Sequence, residues 1–230
     1  TEEELKDGVE SDGSINFVRK LNSDVQKKSA TERSSAICVE GDKAEFLNCR
    51  FLGVQDTLYT GAGTRQYYRN CFIEGQTDFI FGDGDIVFEN CEIRWCGYSD
   101  VKVPGYITAA RNANLKGYLF YNCTISADSN NFQAPGVFGR PWGPNASVAF
   151  VDTILGYDGI INSEGWTSMS GNSPEKANFF EYNTQWDGRG VDVSQRNGGK
   201  IIADSSAYTP KNYFIDWKPV YYTEGSNTDI

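Results

Sequence analysis

Histidine is absent from this 230-residue chain. Its absence rules out a Ser-His-Asp triad, a Cys-His pair and every histidine-ligated metal site. No Gly-x-Ser-x-Gly elbow stands in for them. The six cysteines include no Cys-x-x-Cys pair, so neither a zinc site nor a dithiol redox motif is supported. Long apolar runs are also missing, and nothing approaches the roughly 20 residues of a membrane span. The opening Thr1-Glu2-Glu3-Glu4-Leu5-Lys6 lacks the basic start and apolar stretch of a secretion signal. Basic charge is scarce: 21 Lys and Arg against 31 Asp and Glu leave a net charge of −10. Such a surface argues against nucleic acid and anionic membranes as partners. Any hydrolytic chemistry must therefore run on carboxylates, assisted by Lys, Arg, Tyr or amides.

What is present is a repeat. Asn-Cys followed two places on by an apolar residue occurs at Asn48-Cys49-Arg50-Phe51, Asn70-Cys71-Phe72-Ile73, Asn90-Cys91-Glu92-Ile93 and Asn122-Cys123-Thr124-Ile125. Val151-Asp152-Thr153-Ile154 is a degenerate fifth copy. The cysteines follow one another at 22, 20 and 32 residues, the mark of a solenoid in which each repeat is one coil with occasional insertions. Around them run short alternating segments such as Ala44-Glu45-Phe46-Leu47 and Asp85-Ile86-Val87-Phe88, punctuated by Gly, Asn and Asp. Helical periodicity is confined to Thr31–Ser35. The fold expected is all-β, a right-handed parallel β-helix with each Asn-Cys stacked on the last at about 4.8 Å. Its cysteines form an inward-facing ladder of small side chains, and Cys38 and Cys96, off the ladder, are the candidates for any disulfide.

Residues 1–35 are polar and read as a surface excursion, with further coils expected upstream in the natural protein. Residues 36–205 form the β-helix. Residues 206–230, with Tyr208, Tyr213, Phe214, Trp217, Tyr221 and Tyr222, are expected to cap an open core end.

Two aspartates keep step with the ladder. Asp56 lies seven residues after Cys49, and Asp78 seven after Cys71. In-register coils would set them one strand spacing apart, roughly 5 Å. Carboxylates that close cannot both ionise freely, which is what acid/base chemistry needs. Asp78 also adjoins the apolar run Phe79-Ile80-Phe81, unlike a solvated turn aspartate. Asp83-Gly84-Asp85 lacks the rest of a calcium loop and reads as a turn.

Three segments in order, Gly53-Val54-Gln55-Asp56-Thr57-Leu58-Tyr59, Asp78-Phe79-Ile80-Phe81-Gly82 and Gly139-Arg140-Pro141-Trp142, resemble the signatures of the pectin methylesterases. The similarity is strong over residues 36–142 and looser to Trp217, and residues 1–13 and 31–36 are similar to bacterial members with an insertion there. The resemblance implies metal-free, cofactor-free hydrolysis of the methyl esters of homogalacturonan (pectin) by a secreted monomer that releases methanol. Asp78 matches the nucleophile and Asp56 the acid that then serves as base. Gln55 matches an oxyanion donor, Arg140 the guanidinium that orients Asp78, and Trp142 an aromatic wall. Phe81 and Tyr59 are further candidates to stack on sugar rings, as is Trp166. One departure stands out: the family's second oxyanion glutamine falls on Arg33, either a charged replacement or a surface residue. Other readings stay open, namely a catalytically impaired β-helix that binds pectic polysaccharide, or a β-helical pectate lyase or polygalacturonase.

Overall fold

The computed structural model describes residues 33–98, 101, 103–113, 116–127 and 134–221, and the backbone of two earlier strands, Leu5–Val9 and Ile15–Arg19. Those two form an antiparallel pair. The rest of the excursion expected over 1–35, up to Glu32, lies outside the described residues, as does Tyr222.

From Arg33 onward the chain is a right-handed parallel β-helix with three sheets. The first, called the site sheet here, stacks Ile37–Val39, Leu58–Thr60, Thr77–Gly82, Tyr106–Ala110 and Val137–Gly139. The second stacks seven strands from Ala44–Leu47 to Lys200–Ile201, and the third seven from Arg50–Leu52 to Arg189–Gly190. Every pairing between coils is parallel except the closing hairpin of Gln185–Trp186 with Arg189–Gly190.

The Asn-Cys motif turns the chain from the second sheet into the third. Asn48, Asn70, Asn90, Asn122, Asp152 and Asn183 all hold φ between 51° and 55°, in the left-handed region that Asn and Asp tolerate best. Asn183-Thr184-Gln185-Trp186 is a sixth copy beyond the five in the sequence pattern, again with threonine in place of cysteine. Side-chain amides run along the outside of this turn: Asn122 donates to Asn90 Oδ1 at 2.7 Å and Asn183 to Asp152 Oδ1 at 2.7 Å. The residue after each points inward. Cys71, Cys91, Cys123, Thr153 and Thr184 are buried, and their thiols or hydroxyls need only a small pocket. Cys91 and Cys123 Sγ lie 3.6 and 3.4 Å from the Tyr68 and Phe88 carbonyls one coil back. All six cysteines are free, including Cys38 and Cys96.

Beside this ladder runs an aromatic stack. Phe46, Tyr68, Phe88, Phe120 and Phe150 occupy one register position of the second sheet. Their ring centroids are 4.8, 4.9, 4.6 and 4.3 Å apart, so the rings stack at the spacing of the strands that carry them. The aromatic C-terminal segment, in its described part, does not sit over a core end. It runs back along the outer face of the second sheet. Tyr208 packs on Phe180, Tyr213 and Phe214 join Tyr67, Val87 and Leu119, Asp216 pairs with Arg65, and the Glu45 carboxylate accepts from the Val220 and Tyr221 amides at 2.9 and 3.0 Å. The reason is apolar alternation: Tyr67, Val87, Leu119 and Ala149 face outward on that sheet and need a cover.

The turn ladder makes a direct demand on backbone chemistry. Asn90→Val should lower stability by about 1–2 kcal/mol in urea unfolding, because a β-branched residue resists the left-handed region. Asn90→Gly should cost much less, and equal losses in both would show that the side-chain amide, rather than φ, is what matters.

Candidate active site

The site sheet carries its functional groups on its outward face. Isolated bridges align Arg33 with Gln55 and Gln55 with Thr77, so the next position sets Asp56 beside Asp78 on adjacent coils. Both aspartates hold positive φ, 61° and 50°. A bulge follows. Tyr106 pairs with Thr77 and Thr108 with Ile80, so Asp78 and Phe79 together face the single residue Ile107. Phe79 and Ile80 can then both point into the core, fully buried, while Asp78 turns outward.

Arg140 reaches Asp78 from two coils away. It follows the strand Val137–Gly139, and its amide bonds the Thr108 carbonyl at 3.0 Å. A Cβ on Gly139 would lie 1.9 Å from Thr108 Oγ1, so only glycine lets the coils close here. From that point the guanidinium crosses the Tyr106 ring at 3.9 Å and grips Asp78, Nε to Oδ1 at 2.8 Å and Nη2 to Oδ2 at 2.7 Å. This fork on a carboxylate that is itself buried fixes its position. Partial burial disfavours the charged guanidinium, but its hydrogen bonds to Asp78, together with the attraction of Asp78, Tyr106 and Asp56, leave its pKa above the ordinary arginine value. Tyr106 was not singled out in the sequence. It lies where an insertion breaks the repeat, and no Asn-Cys register marks it.

Asp56 has no such fork. Burial, and then the negative charge of Asp78, push its pKa up to about 6, against the opposing pull of Arg33 and Arg140. Arg33 stands in the register expected for it, and its Nε lies 3.8 Å from Asp56 Oδ2 with 81% of the side chain exposed. Gln55 lies between these groups, half-buried, and its amide makes no hydrogen bond to any described residue.

The aromatics separate into two classes. Tyr59, Phe81 and Trp142 are half-buried on the site face and adjacent, with centroids 5.1 Å apart for Tyr59–Phe81 and 6.2 Å for Phe81–Trp142. Trp166 is not on this surface. It is fully buried and stacks on Phe179 at 4.2 Å, so the expectation that it meets sugar is withdrawn. Asp83 and Asp85 serve the turn. Asp83 is gripped by Arg111 at 3.0 and 2.7 Å, and Asp85 Oδ1 accepts from the Lys116 and Gly117 amides at 2.7 and 2.8 Å. Among the described residues no three His, Cys, Asp or Glu side chains converge as a metal site would require.

A carboxylate held by a guanidinium, beside a second carboxylate whose pKa is raised to about 6, is a pairing suited to nucleophilic and acid/base work. The folded-state value for Asp56 lies above the roughly 3.9 of an unfolded aspartate. The folded chain therefore binds that proton more tightly, and this group costs stability as pH rises from about 4 through about 6. Arg33→Gln should move the Asp56 titration midpoint, followed by carboxyl-carbon NMR, upward from about 6. A midpoint that stays or falls would show that the Arg33 charge does not reach Asp56.

Comparison with known proteins identifies the family. The sequence model of the family described as Pectinesterase matches residues 9–216. A probable pectinesterase A of Neosartorya fischeri is 40% identical over 166 residues, 70% of this chain and 47% of that protein. Pectinesterase 31 of Arabidopsis thaliana is 38% identical over 151 residues, 64% of this chain and 44% of its own length. Among solved structures, a pectin methylesterase in complex with a hexasaccharide has a TM-score of 0.70 at 33% identity, covering 87% of this chain and 65% of that one. The pectin methylesterase of Erwinia chrysanthemi gives 0.69 at 32%, covering 86% and 65%. The chain spans about half the length of the curated relatives it matches. It belongs to the pectinesterase family.

Proposed function

From that membership we propose that the chain hydrolyses the methyl esters of pectin, with Asp78 as nucleophile and Asp56 as the proton carrier. The observation that carries this reading is the asymmetry of the two aspartates. One is gripped by both arms of an arginine, and the other has its pKa pushed up to about 6.

In the first half-reaction an Asp78 oxygen attacks the C6 carbonyl carbon of a methyl-esterified galacturonate. The carbonyl electron pair moves onto oxygen, and the Gln55 side-chain amide, without a hydrogen-bond partner among the described residues, donates to that oxyanion. Arg33, in register one coil earlier, can add a charged donor on the same side. Collapse breaks the bond to the methoxy oxygen, which takes the Asp56 proton and leaves as methanol. What remains is a mixed anhydride between Asp78 and the sugar carboxyl. Asp56, now an anion, takes a proton from water as that water attacks the anhydride carbonyl. The second tetrahedral adduct expels Asp78 and yields a free galacturonate. Asp56 is protonated again, and the sum is ester plus water to acid plus methanol.

Tyr59, Phe81 and Trp142 give the polymer flat apolar surface for its sugar faces. Pectin is a wall polymer, so the same reading places the work outside the cell. No helix among the described residues is long and apolar enough to cross a membrane.

The deciding assay is methanol release from highly esterified pectin without added metal. The parent chain should release methanol without shortening the polymer, and Asp78→Asn should lower kcat by about a thousandfold or more. Gln55→Ala should lower it about 10²–10³-fold. kcat/KM should fall as pH rises past about 6, where Asp56 loses the proton that departing methanol needs. Equal rates for parent and Asp78→Asn would end the nucleophile assignment, and unsaturated or shortened products would favour a lyase or polygalacturonase.

A further inference from the structure

We propose that Arg111 is a specificity-determining residue that binds the free carboxylate of a galacturonate unit already stripped of its methyl group. The inference rests on the pectin reading above and adds a second charge-reading position to the same face.

The placement comes from the backbone. Successive amides bond across the coils, Gly61 N to Val39 O at 2.8 Å, Asp83 N to Thr60 O at 2.9 Å, Arg111 N to Gly82 O at 2.8 Å and Trp142 N to Ala110 O at 2.9 Å. They define one rung of the site sheet, Gly61–Asp83–Arg111–Trp142. It lies two positions beyond the rung of Tyr59, Phe81 and Ala109 and shares its outward face. Asp83 is five residues past Asp78, as much as ~16 Å along an extended strand. Arg111 thus meets a neighbouring sugar unit rather than the one being hydrolysed.

The side chain is built for an anion. Nε and Nη2 lie 3.0 and 2.7 Å from the two oxygens of Asp83, which is buried. The flat of the guanidinium lies 4.9 Å from the centre of the Trp142 ring. Asp83 is held in turn, since the Thr60 hydroxyl donates to its carbonyl at 2.7 Å and stands 2.6 Å from the Tyr118 hydroxyl. The guanidinium therefore has little freedom to lose on binding. Yet 39% of the Arg111 side chain is exposed, and Nη1 makes no hydrogen bond to any described residue. In a chain of net charge −10, an anchored cation beside a sugar-facing tryptophan is an uncommon fixture. A guanidinium pairs strongly with a carboxylate and only weakly with a neutral methyl ester. The position therefore distinguishes de-esterified units from esterified ones.

Binding of short oligogalacturonates, with and without methyl esters, is measured by calorimetry. The proteins compared are the Asp78→Asn chain, which cannot turn the ester over, and the same chain with Arg111→Met and Asp83→Asn introduced together so that no buried carboxylate is left alone. The preference for the unesterified oligomer should fall about tenfold. If the pair only props Trp142, both affinities fall together and the preference is unaltered, which overturns the proposal. Should that variant not fold, Arg111→Lys keeps the charge but loses the fork, and the preference should drop about threefold; no drop overturns it equally. Methanol release by the parent chain is scored separately, so loss of the esterase reading and loss of this one are told apart.

Discussion

The constraint on which everything else depends is the register of parallel backbone hydrogen bonds between coils. Parallel strands at about 4.8 Å repeat each side chain directly above its counterpart. The fold therefore multiplies whatever it places at one position. Inside, this gives the stack from Phe46 to Phe150 and the column of Cys71, Cys91 and Cys123. At the turns it gives six left-handed Asn or Asp residues. Outside, on the site sheet, it brings two aspartates together and then arrays Asp83, Arg111 and Trp142 along one rung. An accumulation of like groups is harmless for phenylalanine and costly for carboxylates. The chemistry of the site grows out of that cost.

The cost is met unequally. Asp78 receives both arms of Arg140, while Asp56 receives a single distant contact from Arg33. Identical side chains, one strand spacing apart, are thus made electrostatically different by a residue two coils further on. That arrangement needs the close approach of Gly139 to Thr108 and the Tyr106 ring over which Arg140 lies. Contacts from two coils away therefore fix how the Asp78 carboxylate is held. The same device recurs at Asp83, where Arg111 closes the fork from the next coil and keeps part of its side chain exposed.

How much of this was legible in the sequence follows from where the repeat is regular. Between Cys49 and Cys91 the coils differ by only two residues, so Asp56 and Asp78 could be set side by side by counting. Past Cys91 an insertion breaks the count. Tyr106 and Arg111 sit just beyond it, and neither could be assigned to the site face from spacing. Arg140 and Trp142 were reached through motif resemblance alone. Trp166 was misplaced for a related reason: an aromatic in a short irregular coil carries no sign of which way it faces, and this one fills the interior beside Phe179. The C-terminal aromatics were recognised as a cover, but for the wrong surface. Alternation in Glu45-Phe46, Tyr67-Tyr68 and Val87-Phe88 puts one residue in and one out, and the outward row of Tyr67, Val87 and Leu119 was not weighed as a second apolar face.

The positive φ values of Asp56 and Asp78 connect fold to chemistry most closely. Left-handed backbone costs an ordinary residue about 1–2 kcal/mol, and Asp is among the few side chains that tolerate it. Elsewhere in this chain the conformation is used to turn a corner, at Asn48, Asn70, Asn90 and Asn122. On the site sheet it is used to turn a carboxylate outward at the edge of a strand whose next residues, Thr57 after Asp56 and Phe79 after Asp78, are buried. Strain of this size persists only where the surroundings hold it, and here the bulge opposite Ile107 and the ladder bonds on either side do so. The amide of Asp56 is itself one of those bonds, to the Thr77 carbonyl at 3.1 Å. Asp56 is thus tied to the residue preceding Asp78, which couples the positions of the two aspartates. A fold that repeats one turn many times has reused its backbone conformation, on two successive coils, to set two carboxylates side by side.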